Sequence, residues 1–210
     1  MKERGIIFNA EMVRAILDGR KTQTRRIVKN VMPDNGIWLK KPTKTRSGTT
    51  THVLDAPKYN LCPLGKAGDH LWVRETWMPD APRDGTWGDV EFYGCKDSQL
   101  SMIPECYRTP EHCIYCASWD GAEMIGWTPS LHMPRWASRI TLEIIDVRVE
   151  RLKDAGDTEF KAEGYPLERE LIGGSMDPFC WFRNLWDSVS PTNFKYEDNP
   201  WVWVIEFKRI

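Results

Sequence analysis

No apolar run in this 210-residue chain approaches the length that crosses a bilayer, and a membrane-spanning helix, which needs about 20 consecutive apolar residues, is therefore excluded. Internal repeats and low-complexity tracts are also missing, so neither a solenoid nor a flexible linker is expected. There is no glycine-rich loop of the kind that cradles phosphate, and no Ser, His and Asp order that points to a hydrolytic triad. Six cysteines occur without an N-terminal secretion signal. Reduced thiols or metal ligands in a cytoplasmic protein are then expected, rather than a disulfide framework.

What is present is enough apolar material, 41% of the residues, for a single domain with a sizeable core. The net charge of −1 conceals an asymmetry: residues 1–50 carry 12 Lys and Arg against 4 Asp and Glu, and the remainder 17 against 26. Such a basic start can steer an anionic ligand, provided the charges cluster in space. Branched and aromatic residues mark strands at 5–8, 71–77, 90–93, 139–149 and 201–207. In the fourth run Ile140, Leu142 and Ile144 alternate in one parity and Ile145, Val147 and Val149 in the other, as expected where a bulge bends a strand round a small barrel. Helices are expected after Asn9, across 158–163 up to Gly164, and from Asp177-Pro178, where Phe179, Phe182, Leu185, Trp186 and Val189 form one face. Two stretches without sustained periodicity, 30–63 and 78–128, read as insertions.

The segment Gly19-Arg20-Lys21-Thr22-Gln23-Thr24-Arg25-Arg26 sets four cations and two hydroxyls just past a helix that Asn9 can cap and Gly19 can end. In a regular strand Lys21 and Thr24 would face opposite sides, so cooperation between them calls for a turn or bulge after Gly19. A lysine desolvated beside Arg20, Arg25 and Arg26 would have a lowered pKa, as a general base requires. Further along, Trp72, Arg74 and Thr76 share one face and Val73, Glu75 and Trp77 the other. Glu75 reads either as a carboxylate paired with an arginine or as an acceptor for a base edge. His132-Met133-Pro134-Arg135-Trp136-Ala137-Ser138-Arg139 brings an imidazole, two guanidiniums and an indole ahead of the long strand, a set suited to nucleotide binding if the arginines meet phosphate and the indole stacks on a base. Trp136 can equally be core and His132 a turn cap. Cys106, Cys113 and Cys116, with Cys95 upstream and His112 beside them, offer ligands for a structural zinc, although the second regular pair of a strong zinc signature is absent.

Read as Gly-x-Lys-x-x-Thr-x-Arg, the basic segment resembles the signature of the ASCH superfamily, small barrels related to PUA domains that bind RNA. The stretches Gly68-Asp69-His70-Leu71-Trp72-Val73-Arg74-Glu75-Thr76-Trp77, 132–139 and Trp201-Val202-Trp203-Val204-Ile205-Glu206-Phe207 look like the larger ASCH proteins of phages and prophages. The resemblance implies an α+β, mainly β fold: a PUA-like ASCH β-barrel with packed short helices and insertions. ASCH proteins are also similar to small bacterial amidohydrolases that deacetylate N4-acetylcytidine with a Lys, Thr and Glu set. Carried over by motif, Lys21 is the base, Thr24 the nucleophile and Glu163, in Lys161-Ala162-Glu163-Gly164, the acid, with Arg26 placed to stabilise an oxyanion.

Together these readings predict a protein directed at RNA, a nucleotide or a modified nucleobase, with no membrane partner and no cofactor for the chemical step. The favoured reaction is hydrolysis of an acylated cytidine-like base, with Arg20, Arg25, Arg26, Glu75, Trp77, His132, Arg135, Trp136, Ser138 and Arg139 as candidate ligand contacts. A binding module without turnover, a metal-dependent ribonuclease, and a phage morphogenesis or host-interaction protein are the alternatives.

Overall fold

A computed structural model describes residues 1–31, 36–40, 50–80, 100, 103–121 and 126–210. The aromatic run expected at 90–93 lies outside the described residues, as does Cys95. The chain divides into two compact units, one of Met1–Lys2, Ala15–His70 and Glu143–Arg209, the other of Glu3–Arg14, Leu71–Leu142 and Ile210. Among the described residues no helix is long and apolar enough to cross a membrane.

In chain order the elements are β1 (Glu3–Ile7), α1 (Ala10–Leu17), β2 (Gln23–Ile27), β3 (Trp38–Lys40), β4 (Thr50–His52), β5 (His70–Arg74), β6 (Trp77–Pro79) and β7 (Cys113–Tyr115). They are followed by β8 (Thr141–Arg151), α2 (Asp157–Ala162), α3 (Leu167–Ile172), α4 (Asp177–Val189) and β9 (Trp201–Arg209). Five strands form one sheet in the order β1-β5-β8-β9-β2, while β3-β4 and β6-β7 form separate hairpin sheets. The fold is thus mixed α and β. The closed barrel implied by the resemblance is not shown: the order ends at β1 and β2, and no pairing among the described residues joins them.

Local chemistry explains several boundaries. Asn9 Oδ1 accepts from the Met12 N–H at 2.9 Å, which satisfies one of the donors left unpaired at a helix start. Gly19 ends the turn at φ +76°, a backbone state that costs little without a Cβ. In the 71–77 stretch Leu71, Val73, Glu75 and Trp77 are buried and the residues between them only partly so, the period-2 pattern of a strand. In β8 the buried residues Leu142 and Ile144 are even-numbered and Val149 is odd, and the change of parity falls at two successive exposed residues, Ile145 and Asp146.

In the first unit, Phe182 and Trp186 of α4 join Leu152, Phe160, Tyr196, Val202 and Val204 in one core cluster, with Ile27 packed against it. The face expected for α4 extends one turn too far, since Val189 is 62% exposed. The cluster assigns a side to each strand. Val202 and Val204 of β9 meet the helices, and because Gln23 pairs with Glu206 and Arg25 with Val204, side-chain alternation turns Gln23, Arg25 and Ile27 to the same layer. In the second unit, Trp77, Tyr115, Met133 and Ala137 form a separate cluster against which Trp136 packs.

Candidate functional site

Within the first unit the basic segment is not a solvated patch. Lys21 is 2% exposed, Thr24 1%, Arg25 3% and Glu163 4%. Lys21 stands just before β2 and forms an isolated antiparallel bridge with Glu163, which follows α2. Its ammonium donates to Glu163 Oε2 at 2.8 Å and to the Glu163 carbonyl at 2.8 Å. Arg25 Nη1 donates to Glu163 Oε1 at 3.1 Å, and its Nη2 to Glu150 Oε1 at 2.6 Å. Glu163 therefore answers two cations, and Arg25 two carboxylates. Phe182 closes one side of the pair, with its ring centroid 5.6 Å from Arg25 Cζ.

The network continues through Arg148, which donates to Glu150 Oε2 at 3.3 Å, to Gln23 Oε1 at 3.3 Å, and to Glu206. Arg148 thereby sets the orientation of the Gln23 amide, whose Nε2 is buried without a hydrogen-bond partner among the described residues. Burial lowers the Lys21 pKa, since a charged ammonium loses its hydration; the Glu163 carboxylate opposes that shift, and Arg26 and Arg25 reinforce it.

Thr24 belongs to a different contact. Its Oγ1 accepts from Arg26 Nη1 at 2.8 Å, and both residues alternate to the face of β2 opposite Gln23 and Arg25. Arg20 is tied down at the same junction: its Nη1 donates to the carbonyls of Gly164 and Tyr165, each at 3.1 Å. Gly164, at φ +103°, lies so close to this junction that a Cβ there would come within 2.9 Å of Ala15 Cβ and 3.3 Å of Lys21 Cβ.

The remaining candidates belong to the second unit. Glu75 is 1% exposed and takes both Arg139 Nε and Arg139 Nη2 at 2.9 Å, one on each oxygen. Trp77 is fully buried, with Trp136 edge-on at 5.4 Å and its own Nε1 without a partner among the described residues. The Ser138 hydroxyl donates to the Val73 carbonyl at 2.8 Å. His132 and Arg135 are exposed, and Arg135 pairs with Glu3 at 2.7 Å. Among the described residues no group of three or more His, Cys, Asp and Glu is arranged to hold a metal ion. Cys106 is exposed, Cys113 and Cys116 are partly buried, and the Cys113 thiol donates to the Thr109 carbonyl at 3.4 Å.

Glu150, Arg148, Gln23 and Tyr115 were not anticipated as site residues. The signal for the first two was faint: Arg148 and Glu150 sit two apart on one face of a strand. Tyr115 offered none, being one aromatic among many.

No protein family model matches this chain, and no curated protein does. Among solved structures, the high-resolution crystal structure of the ASCH domain from Lactobacillus crispatus JV V101 aligns with 99% of this chain and 79% of that one. The identity is 9% and the TM-score 0.36, a level of likeness that transfers no residue roles.

Proposed function

We propose that this protein is an ASCH-type amide hydrolase acting on an acylated cytidine-like nucleoside, or on the same base in RNA. The reading combines the sequence resemblance with one observation: Lys21 Nζ and Glu163 Oε2, buried together, are 2.8 Å apart. Burial lowers the Lys21 pKa and so favours its neutral amine, and in this reading the proton it gives up is carried by the neighbouring carboxyl group. These are the base and the acid that amide cleavage needs.

In this reading the Thr24 hydroxyl proton passes to Lys21 Nζ as Oγ1 bonds to the acyl carbon and the carbonyl electrons move onto oxygen. Collapse of that adduct breaks the C–N bond, and Glu163 gives its proton to the departing exocyclic amine. Water then attacks the acyl-Thr24 ester, returning a proton to Glu163, while Lys21 returns one to Thr24 and the carboxylic acid leaves. Arg26, already bonded to Thr24 Oγ1, fixes the nucleophile and attracts developing negative charge. The scheme requires the Lys21 side chain to swing from Glu163 toward Thr24, across the alternation of β2.

The same alternation favours a second reading, in which the ion network locks the fold and the protein binds a base or RNA without turnover. Liquid chromatography of acetylcytidine incubated with wild type, Thr24→Ala and Lys21→Ala, each checked for folding, separates the two. Cytidine release by wild type and its loss in both variants are expected. Folded wild type that binds cytidine or RNA but releases nothing leaves the binding reading in its place.

A further inference from the structure

We infer that Arg139 is a stacking platform for a nucleobase, held flat by Glu75 and Tyr115. All three residues lie in the second unit, and the inference is independent of hydrolysis at Lys21, Thr24 and Glu163.

Glu75 sits in the break between β5 and β6, its N–H directed at Met133 Sδ at 3.3 Å. Its two oxygens take Nε and Nη2 of Arg139, each at 2.9 Å, and two parallel bonds of this kind define the guanidinium plane. Beneath that plane the Tyr115 ring lies with its centroid 4.0 Å from Cζ. The ring is itself anchored, since Tyr115 Oη donates to the Ala137 carbonyl at 2.8 Å. The guanidinium plane and its height over the ring are thus set by buried partners.

This bonding decides which ligand the arginine can take. Glu75 compensates its charge and occupies the paired Nε–Nη2 edge, which weakens its pull on a phosphate. Among the described residues Nη1 has no partner. The side chain nevertheless keeps 22% of its surface, with one face on Tyr115 and one edge on Glu75. What it presents is therefore a planar, charge-compensated group with spare N–H donors at its Nη1 end, and the chemistry that fits is a planar heteroaromatic ring bearing an acceptor, as nucleobases do. A free nucleoside and a base in single-stranded RNA share that chemistry.

The test is fluorescence anisotropy of a short fluorescein-labelled single-stranded RNA at several salt concentrations, with cytidine binding followed in parallel by saturation-transfer NMR. Arg139→Lys keeps the charge but loses the plane; it should weaken binding about tenfold at low and high salt alike. Tyr115→Leu, which leaves the ion pair intact, should weaken binding in the same sense, and Tyr115→Phe, which keeps the ring but loses its anchor, should weaken it less. Near-UV circular dichroism establishes that each variant is folded. Glu75→Gln should steepen the salt slope by about one phosphate contact, because it leaves the Arg139 charge uncompensated. Binding of both probes assigns the site to the base alone, and binding of RNA only assigns it to a base within a strand. The inference is overturned if wild type binds neither probe, if folded Arg139→Lys and Tyr115→Leu bind like wild type, or if the Arg139→Lys deficit disappears at high salt.

Discussion

Lys21 and Glu163, 142 positions apart, meet both through a backbone bridge and through a side-chain bond of 2.8 Å from which water is excluded. Pairs of this kind gain their Coulomb energy against a desolvation cost of several kcal/mol per ion, so removing one partner is far more damaging than the net value of the pair would imply.

Glu163→Gln should therefore be the most destabilising conservative change in the network. It leaves Lys21 and one arm of Arg25 without a counter-charge, whereas Lys21→Met leaves Glu163 still bonded to Arg25. A loss of about 3–5 kcal/mol is expected for Glu163→Gln, and less for Lys21→Met, both read from urea unfolding midpoints and slopes. Equal costs for the two would mean that Arg25 does not depend on Glu163.

Stability should also carry a pH signature from Lys21. Its folded pKa is lowered, chiefly by burial, while the unfolded value stays near the ordinary ~10.4. Between those two values the unfolded chain binds the extra proton, so raising the pH favours the folded state and the gain is complete above the unfolded pKa. The stability difference between wild type and Lys21→Met should rise in favour of wild type over that window. A difference that stays flat or falls would contradict the lowered pKa.

Gly164→Ala should disturb the site without removing a charged group. The residue sits at φ +103°, and a Cβ there would come 2.9 Å from Ala15 Cβ, so both backbone strain and a clash oppose the substitution. A loss of more than about 1 kcal/mol is expected, together with a chemical-shift change at Lys21 measured by NMR. A neutral substitution would show that α1 and the 163–165 turn can separate freely.

Cysteine alkylation should be ordered by environment. Cys106 and Cys180 are exposed and Cys62 is buried, and burial pushes the Cys113 thiol up to about 12, leaving almost no thiolate near neutral pH. Iodoacetamide followed by peptide mass spectrometry should label Cys106 and Cys180 first and leave Cys62 and Cys113 to the end. Early labelling of Cys113 would require a solvated thiol.

Much of the scaffold was legible in the residues. The start and stop of α1 follow from Asn9 and Gly19, the buried face of 71–77 from strict alternation, and the end of α2 from Gly164, because each depends on chemistry within a few positions. Other elements left no readable pattern. The pairing of β6 with β7 joins Trp77 to Tyr115, too far along the chain for any local turn to announce it, and α3 is a six-residue helix too short for its period to register. The candidate site was half legible: the motif placed Lys21, Thr24 and Glu163 on one list, but which of them touch could not be read from it.

By itself, then, the sequence determined where chain direction changes and which faces are apolar, since capping, left-handed glycine and side-chain alternation act locally. Only the tertiary structure decided that Lys21 bonds to Glu163, that Arg25 is shared between Glu163 and Glu150, that Thr24 falls to Arg26, and that Arg139 lies on Tyr115. The physical reason is that a charge carries no label for its partner. Every Lys or Arg is equally attracted to every Asp or Glu until packing brings particular pairs out of water, where distance and desolvation select among them.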